Sequence, residues 1–188
     1  GRVESELITV TVVQPASIVS QPEGGSAVLG ETFTLSVVAA GTEPISYQWH
    51  KAGQVVEGAS GSSLSLANVE ATDSGDYHVV VSNHAGTETS DTVTLSVESP
   101  PVLTELTGSL SAVEGDTVEL SVSAVGTAPL VYQWSKGGVA LDGATGSTLS
   151  LANVAPSDAD DYKVAVSNGA GRVESELITV TVVQPASI

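Results

Sequence analysis

An all-β chain of two tandem sandwiches is predicted by three features of the sequence. Apolar residues alternate with polar ones in short runs, turn residues separate those runs, and the whole pattern recurs after 85 residues without a gap. Ser46–Gly86 lines up with Val131–Gly171, so Trp49 matches Trp134, Tyr77 matches Tyr162 and Asn83 matches Asn168. The same offset holds along the chain, and Gly1–Ile18 returns unchanged as Gly171–Ile188.

Each element follows from that alternation. Phe33, Leu35 and Val37 point one way, with Thr32, Thr34 and Ser36 between them. Leu64 and Leu66 repeat the spacing, then Tyr77, Val79 and Val81, then Val93, Leu95 and Val97. The segments GTEP, KAGQ, GASGSS and SNHAG supply the turns between runs. No stretch carries a 3.6-residue period. Seven or so strands in one repeat make a two-sheet sandwich.

Composition narrows the function classes. The 188 residues include 41% hydrophobic ones, enough for packed cores, but only strand-length apolar runs and so no membrane-spanning segment. Five Lys and Arg against 22 Asp and Glu give a net charge of −17, spread evenly over both repeats. Such a surface repels phosphate backbones and anionic membranes and keeps the chain soluble. Cysteine and methionine are absent, which removes disulfide, zinc–thiolate and thiol-nucleophile chemistry. The lack of oxidisable sulfur and the few tryptic sites suit exposure outside a cell. Neither an initiator Met nor a signal-peptide pattern is present, and we expect the chain to be internal to something longer, or processed.

The two units share YQWHK and YQWSK, the run LSLANV, DSGDY (Asp73–Tyr77) and DADDY (Asp158–Tyr162), and VSN followed by Gly. On these motifs the repeat resembles immunoglobulin-like domains of the intermediate set, especially the cysteine-free versions found in tandem in large bacterial surface proteins. The resemblance covers essentially the whole chain. It implies two immunoglobulin-like β-sandwiches in an extended rod, with Trp49 and Trp134 as core centres. It also implies that the two core cysteines of the family fall at Val37 and Val79, and at Val122 and Val164. The missing cross-link would have contributed about 2–4 kcal/mol. Burying medium apolar side chains, at about 1.5–3 kcal/mol each, offsets that loss. Tyr77 and Tyr162 stand where the family's tyrosine corner is expected, with hydroxyls bonding back to backbone near Asp73 and Asp158.

Chemistry-bearing residues are few. By alternation His50 and His78 face outward on neighbouring strands, but the second repeat has Ser135 and Lys163 there, so a two-histidine metal site is no property of the repeat. Asp158, Asp160 and Asp161 are the weak calcium candidate, without the wider loop such a cation needs. No nucleophile elbow occurs, and Lys51, Lys136 and Lys163 are not set in an apolar core as an isopeptide lysine must be. No N-x-S/T sequon occurs. We therefore expect no enzyme, no catalytic residue, no cofactor and no resident metal.

What remains is mechanical. The expected division is 1–13 as the last strand of a preceding or partner unit, 14–98 and 99–183 as complete units, and 184–188 as the start of another. The joints Val13-Gln14-Pro15-Ala16 and Glu98-Ser99-Pro100-Pro101 are short, and Pro100, Pro101 and Pro185 favour stiff, extended connections. Ile8, Val10 and Val12 should face a core that this chain does not itself supply. The repeated ends read as a window on a tandem array with a two-unit period. Strand donation to another molecule, or a duplication introduced by design, are the alternatives. The leading expectation is a structural segment of an extracellular filament or stalk, with neighbouring repeats or subunits as partners and no nucleic acid or membrane insertion. The alternative is a cell-surface adhesin recognising a protein or glycan through His50, His78, Lys163 or Ser82–Gly86. Spacer domains of a large secreted enzyme form a third reading.

Overall fold

In the computed structural model, residue 6 and residues 8–185 are described. They divide into two compact units, split between Val97 and Glu98.

The first unit contains β1 (Ser17–Ser20), β2 (Gly25–Val28), β3 (Phe33–Ser36), β4 (Val38–Ala40) and β5 (Ser46–Lys51). These are followed by β6 (Gln54–Val55), β7 (Ser63–Leu66), β8 (Gly75–Asn83), β9 (Gly86–Thr89) and β10 (Val93–Glu98). One sheet runs β2-β10-β8-β5-β6, with β9 also on β8; β1 pairs with β4, and β3 with β7, to make the opposing layer. The second unit repeats the plan with β11 (Val102–Leu106), β12 (Leu110–Val113), β13 (Val118–Val125) and β14 (Val131–Lys136). It closes with β15 (Val139–Ala140), β16 (Thr148–Leu151), β17 (Asp160–Asn168), β18 (Gly171–Glu174) and β19 (Ile178–Val183). Its sheets are β12-β19-β17-β14-β15 with β18 on β17, and β11-β13-β16. β12 runs parallel to β19, a pairing that a simple meander would not give.

Alternation decides which side chains fill the space between sheets. Tyr77, Val79 and Val81 on β8 are buried, as are Tyr162, Val164 and Val166 on β17. Trp49 and Trp134 are fully enclosed, and each indole N–H donates to a backbone carbonyl, of Gly61 at 3.0 Å and Gly146 at 2.9 Å. A buried indole without that partner would carry an unsatisfied donor.

Two turns depart from the purely extended expectation. Ala71–Asp73 and Pro156–Asp158 are single 3-10 turns, each capped by its own third residue. They sit just before β8 and β17 and bring the DSGDY and DADDY segments round to the tyrosines. Three residues are too few to show a periodicity, which is why the alternation pattern does not register them. Among the described residues no helix is long and apolar enough to cross a membrane.

Candidate functional site

Each unit holds the segment that leads into it by a clasp of backbone and side-chain hydrogen bonds. In the first unit the Gln14 N–H donates to Thr42 Oγ1 at 2.8 Å, and the Thr42 N–H donates back to the Gln14 carbonyl at 3.0 Å. Asn83, at the end of β8, spans the same place. Its amide nitrogen donates to the carbonyls of Gln14 (2.8 Å) and Thr42 (2.9 Å). Its oxygen accepts from the N–H groups of Ala16, Ala85 and Gly86. One carboxamide thus uses both donor hydrogens and its acceptor to tie the lead-in, the loop after β4 and the turn after β8.

The second unit repeats the device with Ser99, Thr127 and Asn168. Ser99 N–H donates to Thr127 Oγ1 at 2.8 Å, and Thr127 N–H returns to the Ser99 carbonyl at 3.0 Å. Asn168 donates to the carbonyls of Ser99 (2.8 Å) and Thr127 (2.9 Å) and accepts from Ala170 and Gly171. The contact made by the Ala16 N–H has no counterpart, because Pro101 stands there without an N–H.

Close approach shapes the clasp further. Gly41 has φ +145°, and a Cβ there would lie 2.8 Å from the Pro15 carbonyl oxygen; Gly126, at φ +155°, faces Pro100 and Pro101 in the same way. Both the backbone conformation and the space demand glycine. Glu98 closes β10, and the next residue, Ser99, is bonded to Thr127 and Asn168 of the second unit. The hydrogen bonds fall on Gln14 and Ser99, the residues just before Pro15 and Pro100. Pro100 and Pro101 lie in this lead-in, Pro101 buried; Pro185 is exposed beyond β19.

The other residues singled out from sequence fall as follows. Val37, Val79, Val122 and Val164 are buried beside the tryptophans. The Tyr77 hydroxyl donates to the Asp73 carbonyl at 2.8 Å and that of Tyr162 to the Asp158 carbonyl at 2.9 Å. Burial and the Asp158 and Asp160 charges push the Tyr162 phenol up to about 12; burial and Asp73 raise that of Tyr77. Lys51 and Lys136 lie over these rings, 5.6 and 5.9 Å from the centroids, and donate to the carbonyls of Thr72 and Ser157. This bracing of each corner by a lysine was not foreseen.

Asp158, Asp160 and Asp161 do not converge. Asp158 accepts from the Ala155 N–H and faces Lys136 at 3.6 Å, Asp160 accepts from the Asp161 N–H, and Asp161 accepts from Thr179. Among the described residues no group of three or more His, Asp or Glu is placed to hold a metal ion. His50 and His78 stand directly opposite each other on β5 and β8 with stacked rings, while Ser135 and Lys163 take those places on β14 and β17. Burial, then the neighbouring His50, lowers the proton affinity of His78 below its ordinary value.

The N-terminal segment shows one sequence in two settings. Ile178, Val180 and Val182 of β19 turn into the second core, Ile178 and Val180 being at most 1% exposed. Their counterparts Ile8, Val10 and Val12 are outside any strand and 89%, 81% and 83% exposed. The rest of the expected strand, at residues 1–5 and 7, lies outside the described residues.

Sequence reasoning also missed two buried serines. Ser90 accepts from the Val79 N–H at 3.0 Å and donates to the Asp91 carbonyl; Ser175 does the same with Val164 and Glu176. Their exact recurrence at the repeat offset is the signal that was there to be used.

Two sandwiches with a shared core scheme and clasp define a class, the tandem immunoglobulin module, and comparison with known proteins places the chain in it. The family model described as "Immunoglobulin domain" matches residues 15–83 and 100–168, and the chain belongs to that family. The mouse basement membrane-specific heparan sulfate proteoglycan core protein is 37% identical over 90% of this chain, and human hemicentin-1 is 32% identical over 87%. Endoglucanase C of Cellulomonas fimi is 28% identical over 90%. The chain spans only 5%, 3% and 16% of the length of these relatives. A three-immunoglobulin fragment of titin has a TM-score of 0.77 at 22% identity, covering 93% of this chain and 68% of that one; at such identity it speaks for the fold alone. Mouse and human proteins stand among the relatives beside the Cellulomonas fimi one, so the expected bacterial source is not supported.

Proposed function

We propose that the chain is a structural segment of an extracellular filament or stalk, in which tandem immunoglobulin units supply length and stiffness and neighbouring units are the partners. The observation that carries this reading is the clasp. A tether meant to let domains swing would leave solvated Gly and Ser between them. Here the residue after β10 is already bonded to Thr127 and Asn168. Relatives that are far longer than this chain fit a module used in series.

The reading extends to the ends. Residues 8–13 repeat β19 letter for letter but leave their apolar residues exposed, which supports a last strand whose own sandwich lies outside the described residues. An array with a two-unit period accounts for that repetition directly. The mass of the native polypeptide under full denaturation tests it. A mass far above 18.9 kDa supports a covalent array, whereas a mass near 18.9 kDa would oppose it and favour strand donation between molecules.

A surface-recognition role is the second reading, favoured by one observation. The units share their cores but not their outward faces, where His50 and His78 in one stand against Ser135 and Lys163 in the other. The buried tryptophans and corner tyrosines are unavailable as exposed aromatic anchors, which weighs toward scaffold over reader. Neither reading calls for catalysis.

A further inference from the structure

We propose that His50 and His78 form a two-imidazole chelate for a borderline divalent transition-metal ion, of the zinc, nickel and copper class, on the outward face of the first unit. The two residues are register partners on adjacent antiparallel strands, so the backbone ladder holds them opposite each other. Their ring centroids are 4.8 Å apart with planes within 9° of parallel, and both side chains are half-exposed. In this stacked pose the in-plane nitrogen lone pairs do not converge, so taking up an ion requires each half-exposed ring to turn about its side-chain torsions. Among the described residues neither imidazole is engaged in a hydrogen bond. Val55 of β6 lies opposite His50, and Gln48 and Val80 form the adjoining pair; the Gln48 amide nitrogen donates to the carbonyls of Trp49 and Val56. Asp76, two residues along β8, accepts from Thr94 at 2.7 Å.

Neutral imidazole is the ligand such ions prefer, whereas calcium and magnesium seek oxygen. With two protein ligands, the remaining positions go to water, giving an open site of modest affinity rather than a structural centre. The net charge of −17 adds a general attraction for cations, so the test must separate the chelate from diffuse binding to carboxylates. The second unit, with Ser135 and Lys163 at the equivalent places, is an internal control.

The experiment is calorimetric titration of the whole chain with ZnCl2 near neutral pH in excess calcium, with histidine ring proton NMR alongside. We expect one saturable zinc per chain, shifting His50 and His78 but not His84. Affinity should fall by at least about tenfold in His50→Gln and in His78→Gln, since even the loss of a supporting group costs a metal site that much. Installing Ser135→His together with Lys163→His should add a second ion. Zinc uptake that calcium abolishes, that does not saturate, or that survives both single substitutions overturns the proposal. So does the grafted variant if it takes up no second ion.

Discussion

Asn168 donates from its carboxamide to the Ser99 carbonyl at 2.8 Å across 69 residues of sequence, and Asn83 makes the same bond to Gln14 at the same distance. A side chain at the far end of β17 thus fixes the residue with which the chain leaves the preceding strand.

Substitution of that carboxamide separates its roles. Asn168→Ala strands the carbonyls and N–H groups it now serves, and leaving such groups unpaired costs about 1–3 kcal/mol. Asn168→Asp should cost more, because it sets carboxylate oxygens against the carbonyls of Ser99 and Thr127. Urea unfolding of the second unit, with the first as reference, measures both. A neutral Asn168→Asp would contradict the donor assignment.

The tyrosine corner yields an alkaline prediction. Tyr162 titrates at about 12 in the folded chain and near 10.0 when unfolded. Between those values the unfolded chain has released a proton that the folded one keeps, so stability is full below pH 10 and falls as pH rises toward 12. Tyr162→Phe should remove this dependence and cost about 0.5–1.5 kcal/mol at neutral pH, the worth of one hydrogen bond. Melting temperatures across that range decide it.

The histidine pair yields an acid prediction of opposite sense. His78 binds its proton more weakly folded than its ordinary 6.5, through burial and then His50. As pH falls through 6.5 the unfolded chain gains a proton that the folded chain refuses, so the first unit loses stability below that point. His50 from β5 and Asp76 on β8 are the titratable groups on this face, with Val55 of β6 and Thr89 of β9 uncharged. His78→Gln should flatten the acid limb for the first unit and leave the second unchanged, as differential melts would report.

Trp134→Ala removes the largest enclosed side chain of its core, and such truncations cost about 3–5 kcal/mol. The second unit should then melt well before the first. Equal melting of both units would show that the core is not centred there.

The strands, the enclosed Trp49 and Trp134 and the corner tyrosines were legible in sequence because alternation and turn residues are local signals, here written twice. The clasp was not. Gln14 and Ser99 take part through backbone N–H and C=O alone, so their side chains are free to differ and carry no sign of the role. Thr42 lies 28 residues from its partner and Asn83 lies 69 away, beyond the reach of any periodicity. Gly41 and Gly126 read as ordinary turn glycines until the Pro15 and Pro100 carbonyls are seen beside them. His50 and His78 were placed outward by alternation; only the strand register made them partners.

The proposed stiffness of tandem units is tested most directly by a distance measured across the joint. The chain has no cysteine, so Glu57→Cys with Asp142→Cys, both at exposed positions, gives clean spin-label sites in the two units. Pulsed electron–electron resonance between them should give a single narrow distance distribution, broadened when Gly-Gly-Ser-Gly is inserted between Glu98 and Ser99. A native distribution already as broad as that of the insertion variant would contradict the account.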